Sequence, residues 1–341
     1  MADGTHASNY WAAANNVNGA FEDTDGRAGL FEEFYKGTGG KIGDKNIIHY
    51  QDRIIAKAVE EIGGYGNVFF LILNEPNTKD SAAFSWTRER AAVLKSHDGG
   101  IHLVAVEVQP DPWAWAGPAG LEQDLHHFWD EPSIDIIGGH AYDDDPGSLS
   151  AKLHAAQSRN KILHDNEGYD LRSRPEQATR EAWGWAMAGG YYSFFTKDRD
   201  FNKVGDATWA QVIQVATTLR DVFESARFWE LSPVDANCEE VDSLVTQAPG
   251  RGWQVLANPG EQYVVYVWGN ASNAALEIEL PAGDYDYNWH NARTGRLLGT
   301  GSVSGASPAH ISAPPPQDWS GSYGLAVVLT KVKHQQSGTL N

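Results

Sequence analysis

The chain has 341 residues, 41% of them hydrophobic and 21% charged, a balance that buries a sizeable core and argues against a disordered, fibrous or membrane class. Lys and Arg number 26 against 45 Asp and Glu, a formal charge of −19; this repels phosphate backbones and anionic lipid surfaces, so no nucleic acid and no membrane is expected as a partner. The single cysteine, Cys238, excludes an intramolecular disulfide framework and a thiolate-rich metal site.

Residues 1–45 read as a loop-rich segment, and the start Met1-Ala2-Asp3-Gly4 has neither a basic patch nor an apolar run, so no export signal is visible. Ile47, Ile54, Ile55, Ala58 and Ile62 recur at helical spacing and stop at Gly63-Gly64, which predicts a helix. Asn67 to Leu73 is an unbroken apolar run, the signature of a strand buried on both faces. A helix from about Ala82 to Lys95 and a strand from Ile101 to Val108 follow, then a strand at Ile134 to Ile137, a helix from about Gly147 and a strand at Lys161 to His164. Ser173-Arg174-Pro175-Glu176 predicts a capping box opening a helix that ends at Gly189-Gly190. A strand at Tyr191 to Phe195 comes next, then a helix carrying Trp209, Val212, Ile213, Ala216, Leu219, Val222 and Phe223. Alternation of this kind over residues 46–229 predicts an α/β domain with a parallel sheet.

After about Glu230 the texture changes. Short runs at Trp253 to Ala257, Gln262 to Trp268, Ala275 to Leu280, Tyr285 to Trp289 and Leu325 to Leu329 are separated by Gly, Pro and Asn, with no amphipathic helix between them. Residues 230–333 therefore read as an all-β sandwich, with Ala313 to Gln317 as a rigid proline loop and 334–341 as a polar tail.

Two glutamates close predicted parallel strands, where α/β folds carry their chemistry. Glu75 ends Leu71-Ile72-Leu73-Asn74-Glu75-Pro76, and Glu167 ends Ile162-Leu163-His164-Asp165-Asn166-Glu167. A glutamate there also serves as a helix cap or ion-pair partner. A pair of carboxyl groups, one protonated and one ionised, is the minimum apparatus for glycoside hydrolysis. The Asn74-Glu75-Pro76 triplet, followed three strands later by Glu167, resembles the clan A glycoside hydrolases, which are retaining (β/α)8-barrel enzymes. That resemblance implies Glu75 as acid/base, Asn74 as donor to the sugar 2-hydroxyl, and Glu167 as nucleophile.

His140-Ala141-Tyr142, on what would be strand six, resembles a His-x-Tyr pair of the clan whose tyrosine holds the nucleophile; as plain rim residues the two would be satisfied by backbone. Trp113 and Trp115, just past strand five, either offer the cleft a sugar platform or pack together under a loop. No metal and no cofactor is expected: Asp143-Asp144-Asp145 reads as a solvated loop, Asp23-Thr24-Asp25-Gly26 fails calcium-loop spacing, and His126-His127 lacks zinc spacing. Asn270-Ala271-Ser272 is a glycosylation sequon that decides nothing.

Phe228-Trp229-Glu230-Leu231, Leu256-Ala257-Asn258-Pro259-Gly260, Tyr263-Val264-Val265-Tyr266 and Trp289-His290-Asn291-Ala292-Arg293-Thr294-Gly295 resemble bacterial members of the clan that end in a collagen-binding-like sandwich. The fold implied is an incomplete (β/α)8 TIM-type barrel of about five strands followed by the sandwich, since strands one to three have no counterpart. Such a remnant leaves open edges, so a homo-oligomer covering the open side is expected. The function implied is a glycosidase cleaving β-linked plant or microbial polysaccharide or oligosaccharide. The alternatives are a non-catalytic carbohydrate-binding or assembly protein, and a transglycosylase that shares every residue named here.

Overall fold

The computed structural model describes residues 35, 46–74, 81–108, 126–139, 161–169, 173–194, 207–236, 244–269, 275–305, 308–315 and 323–333. The chain divides into two units, Met1–Gly139 and His140–Asn341.

In the first unit, helix α1 (Ile47–Ile62) starts where the Asn46 side chain accepts a hydrogen bond from the His49 amide, and it ends at Gly63 as the spacing predicts. Its apolar stripe is only partly used: Ile47 and Gln51 are buried, while Ile54 and Ile62 are exposed. The polar contacts to helix α2 (Ser81–Asp98) explain the rotation, because Trp86 Nε1 donates to Gln51 Oε1 at 2.8 Å and Arg90 pairs with Asp52 at 2.7 Å. Strands β1 (Phe70–Asn74), β2 (Val104–Val108) and β3 (Ile136–Gly139) pair in parallel in that order. β2 and β3 are buried throughout. β1 is not the doubly buried strand its composition predicts: Phe70 is buried but Leu71 is 42% exposed, as befits the edge strand of the three.

A buried ion pair ties the end of α2 to the start of β2. Asp98 accepts from the His102 amide and faces its ring Nδ1, both at 2.6 Å, while Nε2 faces the Tyr65 carbonyl at 3.0 Å. An acceptor at each nitrogen favours the protonated ring. Both side chains are almost wholly buried. The Asp98 hydrogen bond, aided by the Tyr65 carbonyl, raises the His102 pKa above its ordinary 6.5. Burial opposes ionisation of Asp98, but the hydrogen bonds from His102 outweigh it and take its pKa below the ordinary 3.8. The stabilisation from His102 is complete below about pH 6.5 and is lost as pH climbs through the raised value; that from Asp98 is present above about pH 4 and is lost as pH falls through the lowered one. Urea unfolding of the first unit is therefore expected to show a midpoint that declines with pH above neutrality, and His102→Gln should flatten that decline. An unchanged slope in the variant would remove His102 as its source.

In the second unit β4 (Ile162–Asp165) pairs in parallel with β5 (Tyr191–Tyr192). All five strands expected ahead of the sandwich are thus present and parallel-paired, although β5 stops well short of Phe195. Helix α3 (Pro175–Met187) has its proline in the first turn, as the sequence predicts. Pro175 sets the helix start so that Arg174 is the N-cap, without a side-chain cap bond, and Ser173 falls one residue outside. Helix α4 (Ala207–Ser225) follows.

Beyond it come β6 (Ser232–Ala236), β7 (Val245–Gln247), β8 (Gly252–Asn258), β9 (Gln262–Trp268) and β10 (Ala275–Ile278). The last four are β11 (Asp284–Asn291), β12 (Leu297–Ser304), β13 (Ala309–Ser312) and β14 (Leu325–Lys331). They form two antiparallel sheets, β12-β11-β14-β9-β8-β6 and β13-β10-β7. Tyr263, Val265 and Val267 of β9 face Val245, Leu276 and Ile311 of the smaller sheet, which makes a sandwich core. The alternate residues Val264, Tyr266 and Trp268 are covered by Trp183, Val222 and Phe223 of α3 and α4. Covered on both faces, β9 shows no polar alternation, which is the physical reason for its unbroken run. The Asn291 to Gly295 turn docks the helices: Asn291 Oδ1 accepts from the Arg293 and Thr294 amides, and Trp183 Nε1 donates to the Ala292 carbonyl at 2.9 Å.

Candidate active site

Of the residues singled out from sequence, Asn74 and Glu167 fall among the described residues; Glu75, Trp113, Trp115, His140 and Tyr142 lie outside them. Asn74 belongs to the first unit and Glu167 to the second.

In the first unit Asn74 closes β1 with its side chain exposed. In register it neighbours Glu107 of β2, which neighbours Gly138 of β3. Neighbours in register project to one face of a sheet, so this row offers an amide, a carboxylate and a bare position. Glu107 is 1% exposed, and a Cβ on Gly138 would collide with its carboxylate. The glycine is what makes room for the acid. Sequence reasoning passed over Glu107, whose signal is a charge inside the otherwise apolar Val104 to Val108.

In the second unit the chain leaves β4 through Asp165, Asn166 and Glu167. Asp165 is wholly buried, and its Oδ1 accepts from the Glu167 amide at 3.1 Å, an Asx turn that fixes how the chain swings out of the strand. Glu167 itself is half-buried. Two residues on, the Tyr169 amide donates to Glu181 Oε2 at 2.7 Å, and the Tyr192 hydroxyl donates to the same oxygen at 2.9 Å. Glu181 lies on α3 with no solvent exposure. A Cβ on Gly168 would strike that oxygen, so only glycine lets the turn approach. Below, His164 Nε2 is 2.9 Å from Ser193 Oγ and the Ser193 amide donates to the Asp165 carbonyl at 2.7 Å, joining β4 to the residues after β5. Arg174 stacks over the Tyr169 ring, 5.3 Å from its centroid.

Sequence reasoning missed Asp165, Glu181 and Tyr192 as supports of Glu167. A faint signal existed for Glu181, which shares a helix face with the buried Ala178 and Trp185. A separate cleft of about 670 Å³ between α4 and the Asn291 to Gly295 turn contains none of the predicted site residues. Its one carboxylate, Asp221, is held by Arg220 at 2.8 Å, and no aromatic ring of Trp, Tyr or Phe lines it. Among the described residues no group of three or more His, Cys, Asp or Glu is arranged to hold a metal ion.

No protein-family model and no curated protein matches the chain by sequence. Solved structures do match by fold. One is a glycoside hydrolase, with a TM-score of 0.62 and 11% identity over 84% of this chain and 70% of that one. Another is a Bacteroides vulgatus ATCC 8482 protein provisionally named a glycoside hydrolase, with a TM-score of 0.57 and 14% identity over 83% of this chain and 56% of that one. The chain thus spans a little over half the length of the second structure. It shares the fold of these proteins: a mixed α/β part with parallel strands together with separate antiparallel sheets.

Proposed function

We propose that the protein is a retaining glycosidase that cleaves β-glycosidic bonds of a plant or microbial polysaccharide or oligosaccharide, on an incomplete (β/α)8 barrel followed by its sandwich. The observation that carries this reading is Glu167, a half-buried carboxyl group on a braced turn at the end of a parallel strand, in a chain whose fold is that of glycoside hydrolases.

Glu167 attacks the anomeric carbon and forms a glycosyl-enzyme, while Glu75 gives its proton to the departing oxygen. Glu75 then takes a proton from water, which attacks the same carbon and releases the sugar with its configuration retained. Asn74 donates to the sugar 2-hydroxyl, Tyr142 holds the nucleophile, His140 contributes to substrate binding, and Trp113 and Trp115 supply stacking surface. No cofactor enters this chemistry. A screen of aryl β-glycosides and plant polysaccharides with reducing-sugar detection tests it, and failure of the intact protein to turn over any of them would sink it.

The reading includes a homo-oligomer that covers open sheet edges. Its support is apolar surface beside the β1 edge, where Phe69, Leu71 and Leu103 are exposed. Light scattering is expected to give a mass above that of one chain; a stable monomer at micromolar concentration removes this part.

A further inference from the structure

Resting on that reading, we infer that Glu181 is a positioning residue for Glu167, acting through the backbone of the turn rather than by touching substrate. A carboxyl group with no solvent exposure is costly unless hydrogen bonds repay its lost hydration. Its helix neighbours on the same buried face are Ala178 and Trp185, so packing alone would have been met by an apolar side chain. The two donors that converge on Glu181 Oε2 both belong to segments that frame Glu167. Tyr169 lies two residues beyond it, and Tyr192 is in register with Asp165 at the base of the turn.

The brace is two-sided. Ahead of the nucleophile, Asp165 Oδ1 takes the Glu167 amide; behind it, Glu181 Oε2 takes the Tyr169 amide. Two buried carboxyl groups, one from β4 and one from α3, therefore fix the main chain on either side of Glu167. Gly168 belongs to the same device, because any larger residue would push Oε2 out of reach of both donors. In-line attack tolerates little error: misplacing a reacting group by about 1 Å costs on the order of 100-fold.

The test compares the intact protein with Glu181→Ala, Glu181→Gln and Tyr192→Phe, reading kcat and KM on an aryl β-glycoside together with hydrogen exchange at the Tyr169 amide. Glu181→Ala is expected to lose about 100-fold in kcat with KM within about twofold, and to exchange the Tyr169 amide at least about tenfold faster. Glu181→Gln keeps a carbonyl oxygen that accepts both bonds and should restore most of the rate. Tyr192→Phe removes only a hydroxyl, folds where the alanine variant fails to, and should cost kcat about 3- to 10-fold, the value of one hydrogen bond. Wild-type kcat in Glu181→Ala or in Tyr192→Phe overturns the inference, as does a glutamine variant no better than alanine. An intact protein that turns over no glycoside overturns the proposed function, and the positioning role with it; an active protein indifferent to Glu181 overturns the positioning role alone.

Discussion

Glu167→Gln is expected to lower kcat on an aryl β-glycoside by more than about 10⁴-fold, with the thermal midpoint unchanged. The substitution keeps shape and removes the ionised oxygen that would bond to the anomeric carbon, so the covalent route closes. The bond from the Glu167 amide to Asp165 Oδ1 that shapes this turn is untouched by the substitution. Glu75→Gln should cost about 10²- to 10⁴-fold on substrates whose leaving oxygen needs a proton, and less on activated aryl glycosides. Azide separates the two roles. In Glu75→Gln it intercepts the glycosyl-enzyme and gives a glycosyl azide of retained configuration. In Glu167→Gly it occupies the space of the missing carboxylate, attacks directly and gives the inverted product. Proton NMR of the anomeric centre reads the difference, and wild-type turnover in Glu167→Gln would end the assignment.

The regular elements were legible where local pattern and tertiary environment agree. The end of α1 follows from Gly63, and β9 occupies the Gln262 to Trp268 run residue for residue. Strands β6, β7, β12 and β13 were not foreseen, and their sequences explain why. β12 reads Leu-Leu-Gly-Thr-Gly-Ser-Val-Ser, in which glycine weakens any strand signal. Its reality comes from β11, whose Asp284 and Asp286 accept from Ser304 and Ser302 and whose Tyr287 ring lies where a side chain at Gly301 would be. None of that is local in sequence. Burial of β1 was over-read for a related reason, since composition reports how apolar a strand is but not whether a neighbour lies on both sides. Of the candidate residues, Asn74 and Glu167 stand out in the sequence by residue type and by place at a strand end. Glu181 did not, because a glutamate on a helix ordinarily faces water and only the packing of α3 against the turn turns it inward.

Trp183→Ala should be the most damaging single change outside the site, lowering stability of the second unit by about 4 kcal/mol and its thermal midpoint by about 8 to 16 °C. Trp183 has no solvent exposure. Its ring stacks on Tyr266 with centroids 5.0 Å apart and planes at 15°, and it meets Phe223 of α4 at 5.7 Å. Truncation opens a cavity where α3, α4 and the larger sheet meet, and rigid neighbours of this size cannot collapse to fill it. It also strips the Ala292 carbonyl of the indole donor at 2.9 Å, in the turn that docks the helices. Trp183→Phe separates the two losses: most of the ring contact survives and the donor goes, so about 1 to 2 kcal/mol is expected. Both variants should be followed by urea unfolding with near-ultraviolet circular dichroism, which reports aromatic packing. α3 carries Trp183 toward the sandwich and Glu181 toward the Glu167 turn. Loosening the first should therefore speed exchange at the Tyr169 amide below the melting transition. If Trp183→Ala lowers the midpoint by less than about 3 °C, the contact between α3 and the sheet is not what holds this unit together.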